Sequence, residues 1–159
     1  MKQFTLLLLI SITLFAPLKA QEPEEITIDQ LLNRIKQSGD TLYVVNFWAT
    51  WCAPCVEELP MFESDELLQS EDRIKVLLVS LDFKSQKEKQ LLPFLNKNKI
   101  GQEVLLLNER NPNEWINKIN SEWSGAIPAT AVYHQNKQVF HEGEMNLTQL
   151  LKLVSGINQ

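Results

Sequence analysis

Leu42 to Ala49 is a continuous apolar stretch rich in Val and aromatic residues, interrupted only by Asn46. Its length suits a strand, and the lack of polar alternation means that both faces must be covered. A strand of that kind belongs inside a sheet with helices above and below it. Few architectures accept such a segment, so it constrains the fold more than any other feature.

The flanking segments fit that frame. Ile28, Leu31, Leu32 and Ile35 recur at helical spacing, with Thr27 placed to cap the start and Gly39 to stop the end. After the buried strand, the spacing predicts a helix from about Cys52 to Gln69, bent at Pro60 because proline removes a helical hydrogen bond. Ile74 to Leu81 reads as a second strand, and Ser85 to Asn98 as a helix kinked or divided at Pro93. Val104 to Leu107 is a short strand and Pro112 to Ile119 a short helix. Ala129 to His134 and Gln138 to Glu142 form a hairpin about Asn136-Lys137. Leu147 to Val154 closes the chain as a helix, with Gly156 just past it, while Gln21 to Glu25 reads as a frayed polar leader. Such alternation predicts an α/β protein whose sheet is parallel in its first half and ends in an antiparallel hairpin.

The N-terminus reads as an address. Met1-Lys2 is a short basic start, Phe4 to Ala16 is apolar, and Pro17-Leu18-Lys19-Ala20 breaks the run on a small residue. That layout is a secretory signal peptide. The apolar run is 13 residues long, whereas a membrane span needs about 20. Residues 1–20 are therefore expected to be removed, leaving one domain over 21–159 that is exported, soluble and free of a lipid anchor. Hydrophobic residues make up 44% and charged residues 22%, which suits a globular chain and excludes disorder or a polytopic membrane protein. The mature part holds 13 basic against 20 acidic residues, a net charge of −7, which argues against binding a phosphate backbone.

The chain has two cysteines, Cys52 and Cys55, at the junction between the buried strand and the next helix. A helix start offers unpaired N–H groups and positive dipole ends that stabilise a thiolate. Cys52 at the tip is expected to be the exposed nucleophile, and Cys55, one turn inside, to attack only a sulfur already bonded to Cys52. Pro54 presets helical geometry between them. Three other readings compete. A structural disulfide closing so small a loop constrains little of the unfolded chain. A zinc site needs further ligands, and only His134 and His141 remain, both in the hairpin. Two inert buried thiols do not call for a strand-to-helix junction. Redox chemistry fits the position best.

Asn46-Phe47-Trp48-Ala49-Thr50-Trp51-Cys52-Ala53-Pro54-Cys55 resembles the active-site segment of the thioredoxin superfamily, and Gly125-Ala126-Ile127-Pro128-Ala129-Thr130 resembles its second signature. The signal peptide, Asn46, and Glu58-Leu59-Pro60 after the second cysteine resemble the exported TlpA-like and ResA-like thiol-disulfide oxidoreductases. The resemblance covers roughly residues 25 to 158, and the stretch from Gln102 to Trp123 matches only loosely. It implies a thioredoxin fold, a central mixed sheet with helices on both faces and an extra helix-strand segment before a cis-proline loop.

The resemblance also implies roles. Pro128 would be cis and would aim the backbone of Ile127 at a substrate chain docking beside Cys52 as an extra strand. Trp51 would flank the thiol on the docking surface, while Trp48, Trp115 and Trp123 are read as core or cover. Asn46 stands where cytoplasmic thioredoxins carry a buried Asp that serves the second cysteine. Glu58, three residues after Cys55 on the same helix face, is read as the replacement base, whereas Glu57 points away. The competing reading of Glu58 is a solvated helix glutamate. His134 and His141 receive no role.

These residues suggest a periplasmic monomer that reduces disulfides of exported proteins, with Cys52, Cys55 and Glu58 catalytic and Trp51, Ile127 and Pro128 binding substrate. No cofactor or metal is required, and a membrane or periplasmic thiol reductant supplies electrons. Two alternatives carry different chemistry. Copper delivery could use the same cysteines as soft ligands. A thiol peroxidase shares the fold but typically has Thr three residues before its reactive cysteine, and position 49 is Ala.

Overall fold

The computed structural model describes residues 22–71 and 73–157. The expected signal peptide over 1–20 and its cleavage point lie outside the described residues. Six strands form one sheet: β1 (Glu24–Ile26), β2 (Leu42–Trp48), β3 (Ile74–Ser80), β4 (Glu103–Leu107), β5 (Ala129–His134) and β6 (Lys137–Glu142). Their spatial order is β1-β4-β3-β2-β5-β6. The β1–β4, β4–β3 and β3–β2 pairs are parallel, whereas β2–β5 and β5–β6 are antiparallel.

All seven residues of β2 are buried, as its unbroken apolar run requires. Its side chains alternate between two cores. Leu42, Val44 and Trp48 pack with Cys55, Leu59, Phe62, Leu67, Leu95 and Leu150. Tyr43, Val45 and Phe47 pack on the other face with Ile28, Leu31, Trp115, Ile119 and Trp123. The first core is covered by α2 (Ala53–Glu58), α3 (Asp65–Leu68), α4 (Leu92–Asn98) and α6 (Leu147–Gly156), the second by α1 (Ile28–Lys36) and α5 (Pro112–Ile119). Thr27 caps α1 as expected, with Gln30 returning the hydrogen bond to the Thr27 N–H at 2.8 Å. α4 and β4 form the extra helix-strand segment ahead of the cis-proline loop, with β4 inserted between β1 and β3.

Four local expectations change. The segment read as a frayed leader contributes β1, whose edge pairing with β4 arises from a partner some 80 residues away and leaves no periodicity in three residues. The long helix predicted over 52–69 is three pieces: α2, a 3₁₀ turn over Leu59–Glu63, and α3. Pro60 has no N–H to donate to Val56 and its ring crowds that carbonyl, so the helix tightens instead of bending. Ser64 then starts α3 by accepting from the Leu67 N–H at 3.3 Å. Upstream of Pro93, residues Lys87–Leu91 form a π-helical turn that precedes α4. The hairpin pairs His134 with Lys137, so its turn is Gln135-Asn136, with Gln135 at a φ of 54°.

The loop into β5 is fixed from both sides. Trp123 Nε1 donates to the Ala126 carbonyl at 2.8 Å, and Ser124 donates to the Glu142 carboxylate on β6 from both its backbone N–H and its hydroxyl. Gly125 has a φ of 91°, and a Cβ there would meet Ile116 Cδ1 at 2.8 Å. Only glycine fits that position.

Candidate active site: the cysteine pair and its buried carboxyl

The C-terminal end of β2 leads straight into the site. Cys52 is the N-cap of α2, in extended conformation, and its sulfur accepts a hydrogen bond from the Cys55 N–H at 3.3 Å. The two cysteines are joined as a disulfide. Cys55 is fully buried, and Cys52, expected to be exposed, keeps only 6% of its surface because it is packed against the Ile127 carbonyl and the start of α2. Cys52 Sγ lies 3.7 Å from the carbonyl oxygen of Ile127. The Ile127–Pro128 peptide is cis. Trp51 is 61% exposed beside the disulfide. Trp51, Cys52, Ile127 and Pro128 thus come together at one end of the sheet although 75 residues separate Cys52 from Ile127.

Glu58 and Asn46 meet beneath the disulfide, on the Cys55 face of β2. Asn46 Nδ2 donates to Glu58 Oε1 at 3.0 Å and to Thr130 Oγ1 at 3.1 Å. The Met145 N–H donates to Glu58 Oε2 at 3.3 Å. Glu58 is buried and Glu57 exposed, in keeping with the helix-face count. Burial disfavours the carboxylate and pushes the Glu58 pKa up to about 7, with the nearby Glu144 charge adding to it. The hydrogen bonds from Met145 and Asn46 act in the opposite direction. A cavity of about 290 Å³, bounded by Pro54, Glu57, Glu58, Met61 and Glu144, connects this carboxyl to the surface.

A second polar cluster escaped the sequence reading. Asp82, just past β3 and 2% exposed, accepts from the Thr50 N–H at 3.0 Å and the Thr50 hydroxyl at 2.6 Å. Ser80 Oγ donates to the same carboxylate at 2.7 Å. This group anchors the residue that precedes Trp51-Cys52. An acid placed immediately after a strand of buried residues was the one available signal. Met145, whose backbone completes the Glu58 pocket, left no sequence signal, because any residue supplies an N–H.

His134 faces Asp40 at 3.2 Å and His141 faces the Glu144 carbonyl at 3.3 Å. Among the described residues, no group of three or more His, Cys, Asp or Glu side chains could hold a metal ion. No helix of the described residues is long and apolar enough to cross a membrane.

The sequence pattern of the AhpC/TSA family matches residues 16–142. The chain belongs to the AhpC/TSA family. Among relatives of this family member, the sporulation thiol-disulfide oxidoreductase A of Bacillus subtilis is 32% identical over 63 residues, covering 40% of this chain and 38% of that protein. The chain therefore spans well under half of that relative. Thioredoxin of Ictalurus punctatus is 34% identical over 92 residues, covering 54% of this chain and 84% of that one. A thioredoxin-related protein from Neisseria meningitidis serogroup B has the same fold, with a TM-score of 0.64 at 22% identity over 77% of this chain and 88% of that one. The resemblance to the thioredoxin superfamily and its TlpA-like and ResA-like branch agrees with the relatives and the fold.

Proposed function

We propose that the protein is an exported thiol-disulfide oxidoreductase that reduces disulfides of other exported proteins in the periplasm, acting as a monomer. The observation that carries this reading is the asymmetric pair, with Cys52 the more accessible sulfur, 6% exposed beside the Ile127 carbonyl, and Cys55 fully sealed behind it. In the dithiol form, the Cys52 thiolate attacks a substrate disulfide and forms a mixed disulfide, and the first substrate sulfur leaves as a thiolate that takes up a proton. Cys55 gives its proton to the Glu58 carboxylate and attacks Cys52 Sγ. The second substrate thiolate departs and Cys52–Cys55 becomes a disulfide. Two electrons pass from the cysteine pair to the substrate. A dithiol reductant, at the membrane or in the periplasm, returns them.

Docking follows from the same surface. The Ile127 carbonyl, next to the sulfur, is placed to pair with an extended substrate backbone, and Trp51 covers its flank. Position 49, three residues before Cys52, is alanine and supplies no hydroxyl for a peroxide.

Cys55→Ser tests the reading in the full chain. It is expected to accumulate covalent adducts with disulfide-bearing proteins through Cys52, while Cys52→Ser forms none and loses disulfide reduction. Equal trapping through Cys55 in Cys52→Ser would overturn the assignment of the nucleophile. Stoichiometric Cu(I) retention without disulfide reduction would assign the pair to copper delivery instead.

A further inference from the structure

Two large hydrophobic residues are exposed among the described residues, Trp51 at 61% and Phe83 at 74%. They are neighbours by construction of the sheet. Trp48 of β2 is registered with Ser80 of β3, and the Leu81 N–H donates to the Trp48 carbonyl at 2.7 Å just beyond the last pair. Two residues past each strand end, Thr50 and Asp82 are tied together by both the N–H and the hydroxyl of Thr50. Trp51 and Phe83 are the next residue on each chain, so the clamp delivers both aromatics to one rim.

That rim is ordered across the sheet. At this end, the β4–β3–β2–β5 order places the residues after Leu107, then Phe83, then Trp51-Cys52, then Ile127 and Pro128 side by side. Between the ends of β3 and β4 lies a cavity of about 220 Å³, bounded by Leu81, Phe83, Leu107, Pro112 and Trp115, with Arg110 on its wall. Nearly buried Trp115 and Leu107, with Leu81 and Pro112, give it an apolar part, and Asp82, Lys84, Asn108, Glu109 and Arg110 line its polar rim. Lys84, beside Phe83, is held by Glu25 at 2.6 Å.

Exposing two aromatics on one rim costs hydration free energy, and aromatic anchors beside a pocket are what protein interfaces use. We propose that Phe83 and the cavity behind it form a specificity subsite for an apolar side chain of the substrate polypeptide, continuous with the Cys52 docking surface. The inference rests on the oxidoreductase reading and adds the substrate class to it. The occupant is an extended segment flanking the reacting cysteine. Neighbouring strand ends are about 4.8 Å apart, so the cavity lies roughly 5–10 Å from Cys52. At about 3.3 Å per residue, the apolar side chain sits two or three positions from the substrate cysteine.

The test uses short peptides whose single cysteine is disulfide-bonded to glutathione, with leucine or serine placed two or three residues away on either side. Reduced full-length protein is assayed against each peptide, and every rate is normalised to the same protein's rate on glutathione disulfide. Wild type is expected to prefer leucine over serine on one side by about tenfold in kcat/KM, expressed mainly in KM. Phe83→Ser is expected to bring that ratio close to one, and Phe83→Leu to restore most of it. A wild-type ratio near one, or an unchanged ratio in Phe83→Ser, overturns the subsite. So does concentration-dependent dimerisation of the wild type that Phe83→Ser abolishes, because the rim then serves a second copy of this chain. Failure of the wild type on glutathione disulfide as well as on every peptide would instead remove the oxidoreductase reading, and the subsite with it.

Discussion

The Asn46 amide donates to the Glu58 carboxylate across 3.0 Å, joining the middle of β2 to the last turn of α2 beneath the disulfide. Asn46 has no proton to exchange at neutral pH, whereas Glu58 is held near the pH at which it can take one up and release it. The amide orients the carboxyl and moderates its pKa. Proton exchange with solvent has a route through the cavity beside Glu57 and Glu144.

Glu58→Gln is expected to slow resolution of the Cys52 mixed disulfide on the order of 100-fold at neutral pH. In the wild-type protein, the resolution rate rises with pH through about 7 as Glu58 loses its proton. The variant lacks that inflection. It also lowers the thiolate pKa of Cys52, because the carboxylate no longer opposes a second negative charge. Single-turnover rates and thiol titrations separate the two effects. Should Glu57→Gln change both while Glu58→Gln changes neither, the base is misassigned.

The two neighbours of Glu58 pull its pKa in opposite directions. Asn46 favours the carboxylate by donating to it, and Glu144 disfavours it by charge. Asn46→Ala is therefore expected to move the inflection of the resolution rate to higher pH, and Glu144→Gln to lower pH. Shifts of the same sign in both variants would contradict this.

Stability carries the same signature. Glu58 is protonated in folded and unfolded chains below pH 4.5, so it imposes no penalty there. As pH rises toward about 7, the unfolded chain ionises first and the folded state loses stability, by up to about 3 kcal/mol. Glu58→Gln removes that loss. The variant's stability relative to wild type is expected to be greater at pH 8 than at pH 4. Urea denaturation at the two values checks the sign, and a flat difference would show that Glu58 ionises normally in the folded chain.

Asp82→Ala leaves the Thr50 N–H, the Thr50 hydroxyl and the Ser80 hydroxyl without their shared acceptor. A cost of about 2–4 kcal/mol is expected in urea denaturation. Asp82→Asn, which retains one acceptor oxygen, is expected to lose less. Because the clamp holds Thr50 next to Trp51, the quenching of Trp51 fluorescence by iodide should rise in Asp82→Ala. Equal stability of the alanine and asparagine variants with wild type would show that water replaces the carboxylate without loss.

Much of the site lay open in one dimension. The unbroken run from Leu42 to Trp48 required a strand covered on both faces, and counting by two along it places Asn46 on the same face as Val44 and Trp48, the face that packs against Cys55. Counting by three from Cys55 reaches Glu58, and the position of Cys52 at the helix start separates the more accessible sulfur from the fully sealed one. These features depend on local backbone periods, which a sequence displays directly. The tertiary structure alone decided β1, the Asp82 clamp on Thr50, the Met145 N–H on Glu58 and the placing of Phe83 and Trp51 on one rim. Each joins residues far apart in the chain, through edge pairing, a buried acceptor or a backbone donor that many sequences could supply. The breaks before and after Pro60 and ahead of Pro93 fall between the two cases. Proline announces that a helical hydrogen bond is lost, but packing against the sheet decides whether the chain bends, tightens to a 3₁₀ turn or widens to a π turn.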